Sequence, residues 1–267
     1  KDVRQNVRKH YLKELAMKFD KFYGDYITAQ RTSANVNIDT TFRCRLQCPF
    51  CMRQRDNAKP KVKSSQDLSY EAYDKILKFF KRLNFCGQLS DPIYHKNFLR
   101  LLEIRKQQCP NHLVTIATNG SGKSMDWWNK AFDLTQRSLT NWVFGVDGAS
   151  QQTHEIYRVN GSFEQSFNAM VEAGRRNMMV EWQFIVFKHN EHEIEKAKKM
   201  ALDNNICFRL LKSSRYGDHK NARHILPPSP KWVSTEQDSQ NIRWRPEKWY
   251  HIGHDFKLAR TLQSKTR

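Results

Sequence analysis

Six short apolar stretches alternate with amphipathic segments over residues 35–211, and this alternation constrains the fold more than any other feature. The apolar stretches predict strands over residues 35–40, 83–87, 113–117, 142–146, 180–186 and 206–211. The segments between them predict helices over residues 69–80, 97–106, 127–136, 163–173 and 191–204. Strands that alternate with helices pair in parallel through right-handed crossovers. The sequence therefore predicts an α/β fold, an open or closed barrel, over residues 35–212.

Both flanks of this region differ from it. Apolar residues recur every three or four positions over residues 4–26 and predict a helix within an N-terminal extension, residues 1–34. Beyond residue 212 the alternation stops and prolines punctuate a polar stretch. We therefore expect an irregular, basic C-terminal extension that contains tryptophan and proline, residues 213–267.

Composition excludes several classes of protein. The 16 Phe, 9 Tyr and 7 Trp supply enough apolar area to oppose extensive disorder. No apolar run approaches the roughly 18 residues that a membrane span requires, and the first residues do not resemble a secretory signal. The sequence therefore predicts a cytoplasmic protein without a membrane partner.

Three of the six cysteines stand together after the first predicted strand, as Cys44-Arg-Leu-Gln-Cys48-Pro-Phe-Cys51. Cytosolic thiols stay reduced, so disulfides are not expected. Three thiolates on one loop can hold three irons of a four-iron cluster and leave the fourth iron open. A zinc site completed by a distant ligand is the alternative. The remaining cysteines, Cys86, Cys109 and Cys207, are expected to be small buried residues. A substrate-side role also stays open for Cys86.

This spacing, with an aromatic residue before the third cysteine, resembles the hallmark of radical S-adenosylmethionine (SAM) enzymes. The resemblance continues in order along residues 35–211, through four further segments. These are Cys86-Gly87-Gln88-Leu89-Ser90-Asp91, Thr118-Asn119-Gly120, Val146-Asp147-Gly148 with Tyr157-Arg158, and Trp182 to Val186 with Asn190-x-His192. Gln88 or Asp91 must replace a glutamate that is common in the family, and Gly145 replaces a common serine.

The resemblance implies a partial (β/α)6 TIM-like barrel that holds a [4Fe-4S] cluster and SAM. It implies reductive cleavage of SAM to a 5′-deoxyadenosyl radical, with the electron supplied by a flavodoxin- or ferredoxin-type donor. The best-matching branch acts on peptides or proteins and carries an accessory-cluster domain. No cysteine follows Cys207, so that domain is expected to be lacking, and the C-terminal extension is expected to cover part of the barrel mouth instead.

The resemblance also assigns site residues. Cys44, Cys48 and Cys51 would bind iron. The residues implied for SAM are Phe50 near the adenine, Gly87, Gln88 and Asp91 at the ammonium, Asn119 and Asp147 at strand ends, Arg158 at the carboxylate, and Val186 at the adenine side. Simpler roles stay open for several of these residues: a turn for Asn119 or Asp147, a surface ion pair for Arg158, and core packing for Phe50 or Val186.

The basic charge of the chain points to other possible substrates. There are 46 Lys and Arg against 27 Asp and Glu, and residues 43–63 hold seven basic residues against Asp56 alone. Trp232, Trp244 and Trp249 stand among the basic residues of the C-terminal extension. Basic groups with aromatics between them suit nucleic acid. RNA or DNA modification is therefore an alternative, as is a non-catalytic nucleic-acid-binding module stabilised by zinc or a cluster.

Overall fold

The structure, a computed structural model, describes residues 35–135, 137, 139–212, 224–233 and 242–246. The described strands are β1 (Asn35–Asn37), β2 (Arg82–Phe85), β3 (Leu113–Thr118), β4 (Thr140–Gly145), β5 (Met179–Ile185), β6 (Cys207–Leu211) and β7 (Ile242–Trp244). The described helices are α1 (Lys59–Ser64), α2 (Tyr70–Phe79), α3 (Phe98–Gln108), α4 (Met125–Asp133), α5 (Gln151–Tyr157), α6 (Phe163–Arg175) and α7 (Ile194–Asp203). The helix predicted over residues 4–26 lies outside the described residues.

The strands form one sheet in which spatial order equals chain order, from β1 to β7. Strands β1 to β6 are parallel, each joined to the next by a connection that carries helix. Strand β7 pairs antiparallel with β6. The prediction of an α/β fold with a partial (β/α)6 TIM-like barrel is confirmed. The C-terminal extension departs from its expected irregularity, because β7 lies within it.

Aromatic residues fill the layer between the sheet and its helices. Trp128 on α4 lies 5.2 Å, centroid to centroid, from Phe144 on β4, and Trp182 on β5 lies 5.9 Å from Phe208 on β6. All four are fully buried. Burying one such side chain contributes about 1.5–3 kcal/mol. The opposite face of β5 is different, since Glu181 and the half-buried Gln183 alternate with these aromatics.

Serine caps begin four of the helices, at Ser69, Ser124, Ser150 and Ser162. Ser69 was predicted as a cap, and its Oγ accepts a hydrogen bond from Ala72 N at 3.2 Å. Ser124 accepts from Trp127 N at 3.3 Å, so α4 begins at Met125 and not at the predicted residue 127. The short helices α1 and α5 were not predicted, because six or seven residues carry too little periodicity.

Part of the C-terminal extension packs against the barrel as a strap, residues 225–229. Lys188 N donates to Leu226 O at 3.2 Å, and Ser229 donates from its backbone and hydroxyl to the Glu191 carboxylate at 2.6 and 2.9 Å. Further along, Trp244 contacts Phe208. No helix in the described part of the chain has both the length and the apolar character needed to cross a bilayer.

Candidate active site

The cysteine loop, residues 44–51, lies over the carboxyl ends of the central strands. Gln47 N donates to Val159 O at 3.0 Å, and Asp91 N donates to Arg43 O at 3.0 Å, so the backbone ties the loop to both sides of the barrel mouth. Leu46 and Cys48 point inward, with 4% and 7% of their surface exposed. These contacts hold the loop in one conformation above the sheet.

The three loop cysteines line a single cavity of about 500 Å³. This volume is within the range of about 300–1,000 Å³ that small-molecule sites occupy. Strands β3, β4 and β5 supply part of its floor through Ala117, Val143, Gly145, Gln183 and Ile185. The active sites of barrel folds gather at this end of the strands.

The donor set of the cavity fits an iron–sulfur cluster. Cys44, Cys48 and Cys51 are free thiols, and burial raises the pKa of Cys44 to about 12. A thiolate there therefore needs a bound cation to balance its charge, which iron supplies. No group of three His, Cys, Asp or Glu side chains within the described ranges is arranged to hold a single metal ion. In a four-iron cube each cysteine binds its own iron, so convergence on one point is not required.

A tight turn after β2 forms the next wall of the cavity, through Gly87 and Gln88. Gly87 has φ +49°, and a Cβ atom there would lie 2.3 Å from Ser90 O. Only glycine fits this turn without a shift of the backbone. The Asp39 carboxylate, on the connection after β1, holds this turn in place. It accepts hydrogen bonds from Leu89 N at 3.3 Å and from Ser90 Oγ at 2.8 Å.

Asp91 lies at the rim of this turn and holds the end of β3. Its Oδ2 accepts hydrogen bonds from Thr118 Oγ1 at 3.1 Å, from Asn119 N at 2.6 Å and from Asn119 Nδ2. Its Oδ1 accepts from Ile93 N at 3.2 Å. Burial raises the pKa of Asp91 to about 6, although these donors oppose the rise. The Asn119 amide reaches 3.6 Å from Cys44 Sγ.

Asp147 and Arg158 form a buried ion pair on the other side of the cavity. Arg158 Nε donates to Asp147 Oδ2 at 2.6 Å, and the Asp147 side chain is fully buried. Ile185 N donates to Asp147 Oδ1 at 2.7 Å. Burial alone would lower the pKa of Arg158, but the Asp147 carboxylate raises it. The pair directs Arg158 Nη1 to 4.0 Å from Cys48 Sγ.

Gly145, which replaces a serine common in the family that the sequence resembles, leaves the space that Arg158 occupies. A Cβ atom at Gly145 would lie 2.7 Å from Arg158 Nη2 and 3.3 Å from Cζ. The guanidinium therefore rests directly on the backbone of β4. The site therefore has no serine hydroxyl at this position and has the Arg158 guanidinium close to the β4 backbone instead.

The structure brings most of the predicted site residues together. Nine of the eleven line the cavity: Cys44, Cys48, Phe50, Cys51, Gly87, Gln88, Asp91, Asn119 and Arg158. The other two lie behind it. Asp147 acts through Arg158, and Val186 is fully buried in the main core.

The strap closes the cysteine loop from the side of β5. Ile225 is 2% exposed and belongs to a small apolar cluster with Leu46, Cys48, Tyr157 and Phe187. The side chains of Cys44, Phe50 and Cys51 pack against the same cluster. The strap thus removes one side of the cysteine loop from water.

Sequence reasoning missed several cavity residues. Met52 and Arg53 continue the cysteine loop, and Gln183 lies on the floor. A signal for Gln183 was present, since Glu181 and Gln183 are polar residues at alternate positions of the most apolar strand. Cys86, expected mainly as a buried structural residue, also lines the cavity.

A family model described as the radical SAM superfamily matches residues 38–201. The match covers more than half of the chain. This protein belongs to the radical SAM superfamily. It is therefore an enzyme whose cofactors are a [4Fe-4S] cluster and SAM, as predicted. Enzymes of the radical SAM superfamily also need an electron donor. Membership favours an enzyme over the alternative of a non-catalytic binding module.

Solved structures of radical SAM enzymes share the fold at low sequence identity. SuiB from Streptococcus suis bound to SAM aligns with a TM-score of 0.56 and 13% identity, covering 72% of this chain and 43% of SuiB. SuiB bound to precursor peptide SuiA gives 0.53 and 13%, covering 76% and 42%. Methylornithine synthase (PylB) gives 0.50 and 17%, covering 87% and 65%. The chain thus spans less than half the length of SuiB.

Proposed function

We propose that this enzyme cleaves SAM reductively and directs the resulting 5′-deoxyadenosyl radical at a hydrogen atom of a peptide or protein. The observation that carries the proposal is the cavity, where three cysteines, a glycine turn and the partly buried Arg158 meet at the strand ends. When bound, the cluster and SAM supply the electron transfer and the radical. The chain supplies binding, orientation and shielding from water.

Each side of the cavity takes one part of SAM in this proposal. The Arg158 guanidinium, held by Asp147, binds the carboxylate, because a planar guanidinium matches a carboxylate in two hydrogen bonds. The ammonium binds at Gln88 and the adjacent turn backbone. Asp91 already accepts four hydrogen bonds from the protein, so it positions Asn119 and does not bind SAM itself.

The adenine side of the proposed site is apolar. Phe50 lines the cavity beside the third cysteine and packs against the apolar cluster of the loop, whereas Val186 is buried in the main core and does not line the cavity. The strap adds Ile225 behind the cysteine loop. Together these side chains exclude water from a reactive radical, which would otherwise be quenched.

A peptide substrate is supported by the polar inner face that continues from the cavity floor. Gln183 pairs in register with Arg209 on β6, whose guanidinium donates to its amide oxygen. Glu181 holds Arg209 at 2.8 Å and Arg243 at 3.0 Å. Gln183, whose amide oxygen already accepts from Arg209, lines the cavity and offers its amide NH2 group to a carbonyl of an extended peptide. The SuiB complex with a precursor peptide adds support from a radical SAM enzyme of similar fold.

Nucleic acid is the second candidate substrate, favoured by the exposed basic residues that follow the cysteine loop. Phosphate contacts by such residues would give an affinity that falls steeply with salt. The two candidates differ in what stimulates SAM cleavage. A peptide pool with acidic residues and a single-stranded RNA are therefore compared at two salt concentrations.

The first test is electron paramagnetic resonance of anaerobically reconstituted, dithionite-reduced protein with and without SAM. We expect about four irons per chain and a signal whose shape changes when SAM binds. Cys51→Ala should abolish both the signal and 5′-deoxyadenosine formation. The matched control is Cys109→Ala, a free cysteine that does not line the cavity. A wild-type signal that ignores SAM would contradict the proposal.

A further inference from the structure

Six of the seven basic residues of segment 43–63, which contains the iron ligands, fall into two groups with opposite roles; the seventh, Arg45, is exposed beside Cys44. Arg43 Nη1 donates to Ser65 O at 2.6 Å, its Nε donates to Tyr94 O at 3.1 Å, and it pairs with Asp67. Arg53 Nη1 donates to Phe42 O at 2.7 Å and to Leu89 O. These two arginines anchor the loop to the barrel. Because their guanidinium groups are engaged in these contacts, they offer little charge to a partner.

The second group, here called the basic patch, consists of Arg55, Lys59, Lys61 and Lys63, and all four are exposed. Only Lys59 has an acidic partner within the described ranges, Asp56 at 2.6 Å. Both of those side chains are more than two thirds exposed, so the pair is weak. Counting the described residues alone, the basic patch therefore presents at least three positive charges without an acidic partner on one short segment.

An apolar side chain lies between the basic patch and the iron ligands. Met52 follows Cys51 directly, is 41% exposed and also lines the cavity. An exposed apolar residue ringed by charge is typical of the centre of a protein interface. Met52, the apolar centre of this surface, is the residue directly after the iron ligand Cys51 in the chain. No other cysteine of the loop has an exposed large apolar residue as its neighbour.

We propose that the basic patch and Met52 form the docking surface for a small acidic protein that carries one electron at a time. The inference rests on the proposed function, which requires such an electron. In the docked complex one electron leaves a reduced flavin or iron–sulfur carrier and enters the cluster, and the carrier is released one electron more oxidised. Interfaces of this kind are small and depend on charge, which suits rapid release.

Nucleic acid fits this surface less well than an acidic protein. Single strands bind through bases stacked on aromatic side chains, besides phosphate contacts. In the described segment 43–63 the exposed large apolar side chain is Met52, and Phe50 is only partly exposed within the apolar cluster of the loop. The patch thus offers charge and an apolar contact without a stacking platform.

The test reverses charge on the basic patch and on a matched distant surface. The patch variant is Arg55→Glu, Lys61→Glu and Lys63→Glu, which keeps the Lys59 pair. The control carries the same charge change at exposed lysines of α3, α4 and α7 that have no acidic partner among the described residues, as Lys106→Glu, Lys130→Glu and Lys196→Glu. The probe is a bacterial flavodoxin. Calorimetry gives its affinity for the holoenzyme, and stopped-flow absorbance gives the rate of cluster reduction by its hydroquinone.

We expect the patch variant to lose about 10- to 100-fold in both affinity and reduction rate at about 50 mM salt. The loss should shrink at high salt, and the control should lose much less. Reduction by dithionite, and SAM cleavage driven by it, should be equal in all three proteins.

Equal flavodoxin affinities in the patch and control variants, or no flavodoxin binding by the wild type, would overturn the docking surface. So would a patch variant that keeps its flavodoxin rate and instead loses salt-sensitive affinity for a single-stranded RNA. Loss of dithionite-driven SAM cleavage in the wild type is a different result, because it counts against the proposed function itself. The two failures are therefore distinguishable.

Discussion

Two buried carboxylates flank the cavity, and they are stabilised in opposite ways. Asp91 on one side is 4% exposed and accepts hydrogen bonds only from uncharged N–H and O–H groups. Asp147 on the other side is fully buried and is paired with the charged Arg158. Burial raises the pKa of Asp91 to about 6, whereas a guanidinium balances the charge of Asp147.

The difference assigns different tasks to the two sides of the cavity. The Asp91 side is a network of neutral donors that fixes the shape of the turn at Asn119. On the other side, the Asp147 carboxylate holds the charged guanidinium of Arg158 next to Cys48. A shape-fixing carboxyl tolerates loss of its charge, but a buried ion pair does not tolerate loss of one partner.

The largest effect is expected when the ion pair is broken. Arg158→Leu leaves the Asp147 carboxylate buried without a cation and should lower the free energy of unfolding by about 3–5 kcal/mol. Denaturant unfolding of the reconstituted protein measures this. Arg175→Leu breaks a surface pair with Glu172 and should cost much less, because the exposed arginine is screened by water. Similar losses in the two variants would remove the distinction between the two sides.

A smaller loss of stability is expected when the Arg158 guanidinium is displaced but its side chain is kept. Gly145→Ser puts a Cβ atom 2.7 Å from Arg158 Nη2 and should cost about 1 kcal/mol, because the end of a flexible side chain must shift while its pair with Asp147 is kept. The same substitution in the Arg158→Leu background should cost less, because the clash is gone. Unfolding of the four proteins in this cycle gives the coupling between the two positions. If the losses of the two single variants simply add in the double variant, Gly145 does not serve to make room for Arg158.

The smallest effect is a pH dependence on the Asp91 side. The native pKa, about 6, lies above the ordinary value of 3.8, so the folded protein holds this proton more tightly than the unfolded chain. The contribution to stability is therefore present at low pH and is lost as pH rises. Between pH 5 and 7.5 we expect a loss of about 1 kcal/mol from this group, and Asp91→Asn should remove that slope. Identical slopes would contradict the prediction.

Local patterns in the sequence were enough to predict the barrel and the positions of most cavity residues. Each strand carries its own apolar run, and Asn119 and Asp147 stand at strand ends, where a parallel sheet gathers its polar residues. The three cysteines needed no tertiary information. The strand bounds differ from the structure by a few residues at their ends.

The pairings across the cavity could not be predicted in the same way. Asp91 and Asn119 come from different connections, and so do Ile225 and Cys48. Such contacts depend on the register of neighbouring strands, which no local pattern encodes. The role of Gly145 was also hidden, because an absent Cβ atom has meaning only once the path of Arg158 is known.

The order of the sheet has a consequence for how the protein is made. Each of the seven described strands pairs with its neighbour in the chain, so this sheet can grow as the polypeptide leaves the ribosome. The cysteines emerge early, and Ile225, which seals them on one side, emerges near the end of the described sequence. At about 5–20 residues per second the interval is on the order of ten seconds. During that time the side of the loop that Ile225 later covers stays exposed to water.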